Sequence, residues 1–431
     1  MKDVTVIGAG LAGSEAALTL SELGFKVTLI EAKPTTASPA HHSYNYGEVV
    51  CSNSFKSDDP YTASGLLKAE LRLLGSKLLK VADMVKVPAG GALAVDREKF
   101  SDEVTRLIKT NPNIIVKNQV VDSLDLSMPH IICTGPLTLE PLGTFISNLL
   151  GQNLYFYDAA APIISADSID YSHTFSASRY DKGDDDYVNC PMTKEEYYTF
   201  VTELISAERA TLKEFEKHEI FESCMPVEVM AMRGVDTLRF GPLKPVGMID
   251  PAIGKRPFAV VQLRKENEEG SMLNIVGFQT NLKFGEQKRV FGLIPALKNA
   301  EFLRYGVMHK NMYIDAPRTI NRHFQLREYP ACFIGGQLSG VEGYVESIAS
   351  GLIAALNMAR MLDGKQMIEF PSETMLGALT SYLEREQGNF QPMNANFGLL
   401  PPLNEHIRDK AMRKQALSQR AIEKIKTLKN D

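Results

Sequence analysis

The first thirty residues place a glycine-rich turn between two strand-like segments. Val4–Ile7 is a short apolar run typical of a buried strand, and Lys26–Ile30 is a second one. Between them stand Gly8, Gly10 and Gly13 in the spacing G-x-G-x-x-G, followed by helix-forming residues. This strand–turn–helix context predicts a dinucleotide site, because the turn lets a pyrophosphate approach the backbone and the helix N-terminus offers N–H groups to it.

The predicted dinucleotide-binding residues are those of the glycine turn and an acid at the end of the second strand. Glu31 lies 18 residues after Gly13, where a carboxylate can accept both ribose hydroxyls of an adenosine. A carboxylate there disfavours the 2′-phosphate of NADP, but the pattern does not distinguish FAD from NAD. The candidate set is Gly8, Ala9, Gly10, Leu11, Ala12, Gly13 and Glu31.

Composition limits the class of protein. A chain of 431 residues is too long for one core and predicts two or three domains. No apolar run approaches the roughly 20 residues that cross a bilayer, so no membrane association is expected. Five scattered cysteines without metal-ligand spacing predict a cytoplasmic protein with no metal site. The net charge of −5 does not indicate a nucleic-acid binder, although residues 405–431 hold eight Lys or Arg against four acids. That basic stretch is typical of a solvated terminal helix, with a phosphate-facing arm as the alternative.

The pattern of the chain predicts an α/β protein in three stretches. Residues 1–150 are typical of a Rossmann-like domain, with one helix over 64–79 and another capped by Asp96 and ending at Lys109. Residues 151–304 predict an inserted α+β domain. Residues 305–431 again show the pattern of the first stretch, since a strand at 331–334 is followed by a glycine turn and then by a helix. We therefore expect an FAD-binding domain of the glutathione-reductase type assembled from both termini, with Gly336 and Gln337 at the cofactor. An ordinary glycine-containing turn is the alternative for this second unit.

Two cysteines have surroundings that suggest chemistry. Cys51 lies in VVCSNS, just beyond the first βαβ unit, and Cys224 lies in FESCMP, in the predicted inserted domain. A small buried hydrophobic residue is the alternative for any single cysteine, and Cys133 and Cys332, within apolar runs, fit that interpretation.

Two polar segments remain from the sequence. Asn394 and Asn396, in QPMNANFG, are candidates for amide contacts to a flat heterocycle, with a tight turn as the alternative. Glu342 and Glu346 are spaced i, i+4 and are expected on a solvated helix face.

A series of ordered blocks resembles one known family. They include GAGLAGSEAA, VVCSNS, GLLKAELRLL, VPAGGALAVDREKF, FESCMPVEVMA, GPLKPVG, GGQLSGVEGYVESIASG and FQPMNANFG. Together they are similar to the folate- and FAD-dependent tRNA (uracil-5-)-methyltransferases, which are related to GidA, the flavin-containing tRNA-modifying proteins. The resemblance covers nearly the full chain but is weaker in Met248–Pro257 and after Gly398.

The resemblance implies a reaction and its participants. Methylenetetrahydrofolate would donate the carbon, FAD would carry the methylene and act as reductant, and NADH or NADPH would reduce the FAD. The product would be 5-methyluridine in RNA, with the T-loop uridine of tRNA as the expected target. The family's two cysteines match Cys51 and Cys224. We expect Cys224 to add to C6 of the uracil and Cys51 to accept a proton or act as the partner thiol, although the roles could be reversed.

Three alternatives stay open at this point. The same chemistry could act on a uridine of 23S ribosomal RNA. A flavin oxidoreductase acting on a small molecule would need neither RNA nor the two cysteines. A non-catalytic, FAD-stabilised RNA-binding protein would bind RNA without turnover. The sequence also leaves the oligomeric state open.

Overall fold

The structure is a computed structural model that describes residues 2–36, 38, 40–151, 154–179, 186–210, 225–386 and 390–430. The side chains of residues 154–158, 309, 310 and 430 are not described. The strands are β1 Asp3–Ile7, β2 Lys26–Glu31, β3 Ser54–Ser57, β4 Lys86–Val87, β5 Ala92–Val95, β6 Ile114–Asn118, β7 His130–Ile132, β8 Leu154–Ala159, β9 Ile163–Ser165, β10 Phe175–Ser176, β11 Tyr187–Met192, β12 Ala259–Lys265, β13 Met272–Ile275, β14 Phe302–Arg304, β15 Met308–Tyr313 and β16 Cys332–Ile334. The helices are α1 Leu11–Glu22, α2 Ala63–Leu73, α3 Lys77–Met84, α4 Arg97–Lys109, α5 Glu140–Leu150, α6 Lys194–Ser206, α7 Val227–Met232, α8 Phe284–Phe291, α9 Ala316–Thr319, α10 Tyr344–Leu362, α11 Met375–Glu384 and α12 Lys410–Asn430.

A parallel sheet carries the glycine turn. Its strand order is β16-β7-β1-β2-β6, and every neighbouring pair is parallel. When the five strands are numbered 1 to 5 by their position in the chain and the sheet is read from its β6 edge, their order is 3-2-1-4-5. This is the doubly wound arrangement of dinucleotide-binding domains. Four strands come from the N-terminal part and β16 from the C-terminal part. This confirms the predicted α/β fold assembled from both ends of the chain.

Helices α1 and α10 lie against each other beside this sheet. A Cβ at Gly351 would stand 2.2 Å from the carbonyl oxygen of Ala12, so glycine is needed where the two helices approach. Among the described residues, α10 is long and apolar enough to cross a membrane by length and composition, and 72% of its apolar window is buried inside the protein. It is a core helix of the domain that carries the glycine turn, which explains its apolar composition.

A second, antiparallel sheet forms the middle of the chain, in the order β10-β11-β12-β13-β9-β14. It packs with α6, α7 and α8 around a separate hydrophobic core that includes Phe200, Phe278 and Phe291. The two connections into and out of this region, β8 and β15, pair with each other as antiparallel strands. The proposed domain limits at residues 150 and 304 agree with the existence of two cores but stay a prediction.

Two local predictions have different outcomes. Asp96 caps α4 as predicted, with its side chain accepting a hydrogen bond from the N–H of Lys99 at 3.1 Å. The single helix predicted over 64–79 is wrong, since α2 ends before Gly75, which has a φ of +82°, and α3 begins after a new cap at Ser76.

The basic C-terminal stretch forms α12. Its apolar side, which includes Leu417, Ala421 and Ile425, is buried. Arg420 donates to the carbonyl groups of Pro401 and Pro402. The helix is thus partly a packing element of the first domain.

Candidate active site

A cleft of about 1170 Å³ opens at the carboxyl ends of β1, β2 and β7. Ligands of doubly wound sheets bind at this edge, where the strand order reverses. Seven of the predicted cofactor residues line the cleft: Gly8, Gly10, Leu11, Ala12, Glu31, Gly336 and Gln337. The fold therefore brings the N-terminal and C-terminal candidates to one place.

The three glycines of the turn serve different purposes. Gly8 has a φ of +94°, and a Cβ there would lie 2.4 Å from the carbonyl oxygen of Cys133. A Cβ at Gly13 would lie 1.8 Å from the carbonyl oxygen of Gly8, so any side chain would push α1 away from the turn. By contrast, a Cβ at Gly10 would meet nothing within 4 Å. Gly10 therefore leaves open space in front of the N-terminus of α1, where a phosphate can approach.

Glu31 ties the turn to the end of β2. Its Oε2 accepts a hydrogen bond from the N–H of Ala9 at 2.6 Å, and its Oε1 accepts one from the N–H of Lys33 at 3.0 Å. Each carboxylate oxygen has a further lone pair, and the residue faces the cleft. Glu31 can therefore hold the glycine turn and accept ribose hydroxyls at the same time.

Sequence reasoning missed a buried ion pair in the wall of the cleft. The Nζ of Lys33 lies 3.6 Å from Oε2 of Glu48, and the two side chains are only 4% and 5% exposed. Oε1 of Glu48 accepts the N–H of His42 at 2.8 Å, but no described residue donates a hydrogen bond to Oε2. Burial lowers the pKa of the neighbouring His41. No spacing in the sequence links residue 33 to residue 48, so only the fold could reveal this pair.

The C-terminal candidates divide into two groups. Gly336 and Gln337 lie at the cleft, and Gln337 donates from its side chain to Glu342. Asn394 and Asn396 are not among the cleft-lining residues. Asn396 instead stabilises its own loop, since its side chain accepts the N–H of Gly398 at 3.0 Å and donates to the carbonyl of Asn394 at 3.0 Å. The structure thus supports the tight-turn alternative for Asn396, and the cofactor role of both asparagines stays a prediction.

Cys51 stands beside the cleft on a loop whose backbone is held by three side chains. Its N–H donates to Oη of Tyr344, a cleft-lining residue, at 2.6 Å. Arg97 donates to the carbonyl oxygens of Val49 and Cys51, the latter at 3.1 Å. Arg304 donates to the carbonyl of Val50 at 2.5 Å. The loop is therefore fixed by residues of α4, α10 and β14, which are distant from one another in the chain.

The surroundings of Cys51 are rich in positive charge. Burial lowers the pKa of Arg304, and the nearby charge of Arg97 lowers it further. Burial also disfavours the charged form of Arg97. The interactions of Arg97 with its neighbours, chiefly the adjacent Glu266, together outweigh burial, so the pKa of Arg97 is raised. Cations close to a thiol favour its ionised form, so this site suits a thiol that takes part in proton transfer or nucleophilic attack.

The other cysteines differ in setting. Cys224 lies outside the described residues, so its predicted role stays a prediction. Burial raises the pKa of Cys133 and of Cys190 to about 12, and that of Cys332 to about 11. These three thiols are buried and behave as small hydrophobic residues.

The expectation of a solvated face at Glu342 and Glu346 is wrong. Glu346 is 1% exposed, and its Oε1 accepts the N–H of Ala395 at 3.0 Å and lies 4.0 Å from Nζ of Lys56. Glu342 is also buried and lies before α10 begins. The spacing indicated one helix face, but the start of α10 points into the protein rather than into solvent.

Comparison with known proteins identifies the family. The profile of the GIDA family, glucose inhibited division protein A, matches residues 3–366. The chain is 53% identical over 431 residues to methylenetetrahydrofolate–tRNA-(uracil-5-)-methyltransferase TrmFO of Desulfitobacterium hafniense, covering 100% of this chain and 99% of that one. This chain belongs to the TrmFO family. It is also 55% identical over 421 residues to the protein of the same name from Natranaerobius thermophilus, covering 97% of each chain.

A solved structure supports the same fold. GidA of Aquifex aeolicus superposes with a TM-score of 0.72 at 16% identity, covering 99% of this chain and 73% of that chain. At this identity the likeness concerns the fold alone, which is that of a Rossmann-type flavoprotein.

The cleft of this TrmFO-family chain fits FAD. The open space before Gly10 and the start of α1, which has no side-chain cap, suit a pyrophosphate. Glu31 is placed for the ribose. Glu48, whose Oε2 is ion-paired with Lys33 but accepts no hydrogen bond from a described residue, lines the same cavity. Among the described residues, no group of three His, Cys, Asp or Glu side chains could hold a metal ion.

Proposed function

We propose that this chain transfers the one-carbon unit of methylenetetrahydrofolate to C5 of a uridine in tRNA. The observation that carries the proposal is the identity of 53% to 55%, over the whole chain, to proteins named for this activity. The FAD-type cleft with a thiol beside it supports the same reaction. The names of the relatives favour tRNA over ribosomal RNA, and no contact in the described residues favours a small-molecule oxidoreductase.

The described residues suggest how the chain contributes. We propose that Glu31, Gly10, Gly336 and Gln337 hold the FAD, which when bound carries the one-carbon unit and supplies the hydride that completes the methyl group. NADH or NADPH is proposed to reduce it. Because the chain has one glycine-rich dinucleotide turn, the nicotinamide is proposed to enter transiently rather than to occupy a second domain.

The two thiols are proposed to act on the uracil. C5 of uracil is a weak nucleophile until a thiolate adds at C6, and we assign that addition to Cys224. We assign the removal of the C5 proton to Cys51, since Arg97 and Arg304 lie around its loop and Tyr344 fixes its backbone. The four described cysteines form no disulfide with one another, which suits a reducing compartment, and we propose a cytoplasmic location.

The test measures the transfer of the folate's methylene carbon to RNA. Purified protein is incubated with FAD, NADH, a tRNA transcript and methylenetetrahydrofolate labelled in its methylene carbon. We expect label in 5-methyluridine of the tRNA, and its loss in Cys51→Ala and in Cys224→Ala. Cys190→Ala is the matched control, because Cys190 is buried in β11 and should leave activity intact. Label in a 23S ribosomal RNA transcript but not in tRNA would overturn the assignment of the target. NADH oxidation without label in any RNA would overturn the methyltransferase.

A further inference from the structure

A second cavity lies in the middle region of the chain and shares no residue with the flavin-type cleft. It is an open groove of about 1710 Å³. Its walls come from the end of β11, the turn at Thr237–Phe240, the loop around Lys244 and the loop 250–257 that precedes β12. None of the contacts described above uses this groove.

The groove is more basic than the chain that carries it. Four cations line it, and they are Arg239, Lys244, Lys255 and Arg256. The side chains of the last three make no hydrogen bond or ion pair with any residue that the structure describes, and Lys255 and Arg256 are exposed. Residues 232–258 contain five Lys or Arg and two Asp, whereas the whole chain has a net charge of −5. Such a concentration of unpaired cations indicates an anionic partner.

The acids of the groove are already engaged. Glu196 closes the capping box of α6 by accepting the N–H of Thr193 at 2.7 Å. Asp250 is buried, and its side chain accepts the N–H of Ala252 at 2.9 Å. These two carboxylates therefore stabilise the walls and leave the cations to face the partner.

An exposed aromatic ring stands among these cations. Phe240 is 82% exposed, and Ile253 beside the same groove is 51% exposed. The guanidinium of Arg239 lies 3.6 Å from the centre of the Phe258 ring, which presents a flat cationic surface. A small anion would make no favourable contact with an exposed phenyl ring. Single-stranded nucleic acids, by contrast, stack their bases on such rings, while cationic side chains of the protein bind their phosphate backbone. The chemistry therefore favours RNA.

The groove is joined to the Cys51 loop by one strand. β12 begins at Ala259, next to the groove, and near its other end Arg264 donates to Ser52 Oγ at 2.8 Å and to Asn53 Oδ1 at 2.9 Å. Five residues of strand span roughly 17 Å. A stacked strand of nucleic acid rises about 3.4 Å per nucleotide, so the groove lies roughly five nucleotides from the Cys51 loop.

The same strand also holds the groove in position. Arg179 donates to the side chain of Gln262 in the middle of β12 at 2.7 Å and to the carbonyl of Lys244 in the wall of the groove. The groove and the Cys51 loop are therefore both connected to β12 by side-chain hydrogen bonds, which fix their spacing.

We propose that this groove is a docking site for the RNA substrate. Its Lys244, Lys255 and Arg256 bind the phosphodiester backbone of the RNA, and one unpaired base stacks on Phe240. The site rests on the proposed function and adds where the RNA is held, about five nucleotides from the uridine that reacts.

The test measures RNA binding and flavin chemistry separately. Binding of a tRNA transcript is followed by fluorescence anisotropy without methylenetetrahydrofolate, and NADH oxidation by the FAD-loaded enzyme is followed without RNA. The variants are Lys255→Glu/Arg256→Glu and Phe240→Ala. The control is Lys80→Glu/Lys117→Glu, which changes the charge by the same amount at two exposed lysines of the first domain.

The expected results are specific to RNA. The groove double variant should raise Kd and KM for tRNA at least roughly tenfold and reduce the slope of log affinity against log salt by about two. Phe240→Ala should weaken binding roughly five- to hundredfold. kcat at saturating tRNA, FAD content and NADH oxidation should stay unchanged, and the control should bind as the parent does.

Three outcomes would overturn or separate the proposals. Unchanged tRNA affinity in both groove variants, with methylation intact, refutes the groove alone. A raised KM for NADH instead of tRNA would assign the groove to a dinucleotide. Groove-dependent tRNA binding without methylation of any RNA would refute the proposed function and leave the docking site standing.

Discussion

The ion pair between Arg97 and Glu266 should determine how firmly α4 is joined to the end of β12 at the Cys51 loop. Nη2 of Arg97 lies 2.7 Å from Oε2 of Glu266, and the side chains are 15% and 1% exposed. The same guanidinium donates to Cys51. In Arg97→Met, Arg264 is the one cation that Glu266 keeps among the described residues, and its Nη2 is 3.9 Å from Oε1. A buried carboxylate would then lose its close partner.

The magnitude follows from this geometry. Breaking a buried pair by removing one partner costs about 3–5 kcal/mol, and the partial exposure of Arg97 places this case near about 3 kcal/mol. Unfolding entropy is about 2 cal/mol/K per residue, so the melting temperature should fall by roughly 3–9 °C, depending on whether the whole chain or only the smaller domain unfolds. Arg97→Met/Glu266→Gln should recover more than half of this loss, because no unpaired charge remains.

The assay is a double-mutant cycle of thermal unfolding, followed by circular dichroism and by flavin fluorescence to detect separate transitions. Lys99→Met is the matched control, since Lys99 pairs with Glu268 across the same interface but both side chains are exposed. It should shift the melting temperature little. If the cycle is additive within about 0.5 kcal/mol, the two groups are not coupled and the reasoning is refuted.

Two further predictions concern other buried carboxylates. Glu31→Ala should weaken FAD binding roughly ten- to hundredfold, because a hydrogen bond to a charged group contributes about 1.5–3 kcal/mol; equal affinity in a fluorescence titration would contradict the assigned role. Glu70 accepts the N–H groups of Met375 and Leu376 at 2.7 and 2.9 Å, and burial raises its pKa from 4.5 to about 8. Since the folded state holds this proton more tightly than the unfolded state, the stability that it contributes is lost as pH rises from about 4.5 to 8. The melting temperature of the parent relative to Glu70→Gln should therefore fall across that window, and a constant difference would show that Glu70 is not the group that titrates.

The sequence predicted the cofactor site where the chemistry is local. β1, the glycine turn, α1 and Glu31 lie within a single stretch of chain, and each residue type is required by a turn, a close approach or a hydrogen bond. The cap at Asp96 was predictable for the same reason. The helix over 64–79 was predicted wrongly because Gly75 ends α2 and Ser76 caps a new helix, and neither signal outweighed the continuous apolar pattern.

The parts that were missed depend on contacts distant in the chain. Arg304 and Val50 are 254 residues apart, and Arg97 and Glu266 are 169 apart. Glu346 appeared solvated from its spacing, yet the fold turns it toward Ala395 and Lys56. The residue spacing in a sequence indicates which residues share a helix face, but it does not indicate which other parts of the chain cover that face.

The sequence by itself predicted a dinucleotide site and determined to which family the chain belongs, because a glycine turn and ordered motifs are properties of neighbouring residues. Only the tertiary structure decided which side chains hold the Cys51 loop, where Lys244, Lys255 and Arg256 gather around the groove, and how the groove is connected to the Cys51 loop. These features arise where elements from different parts of the chain pack together, so their geometry exists only after the two sheets have been brought into contact.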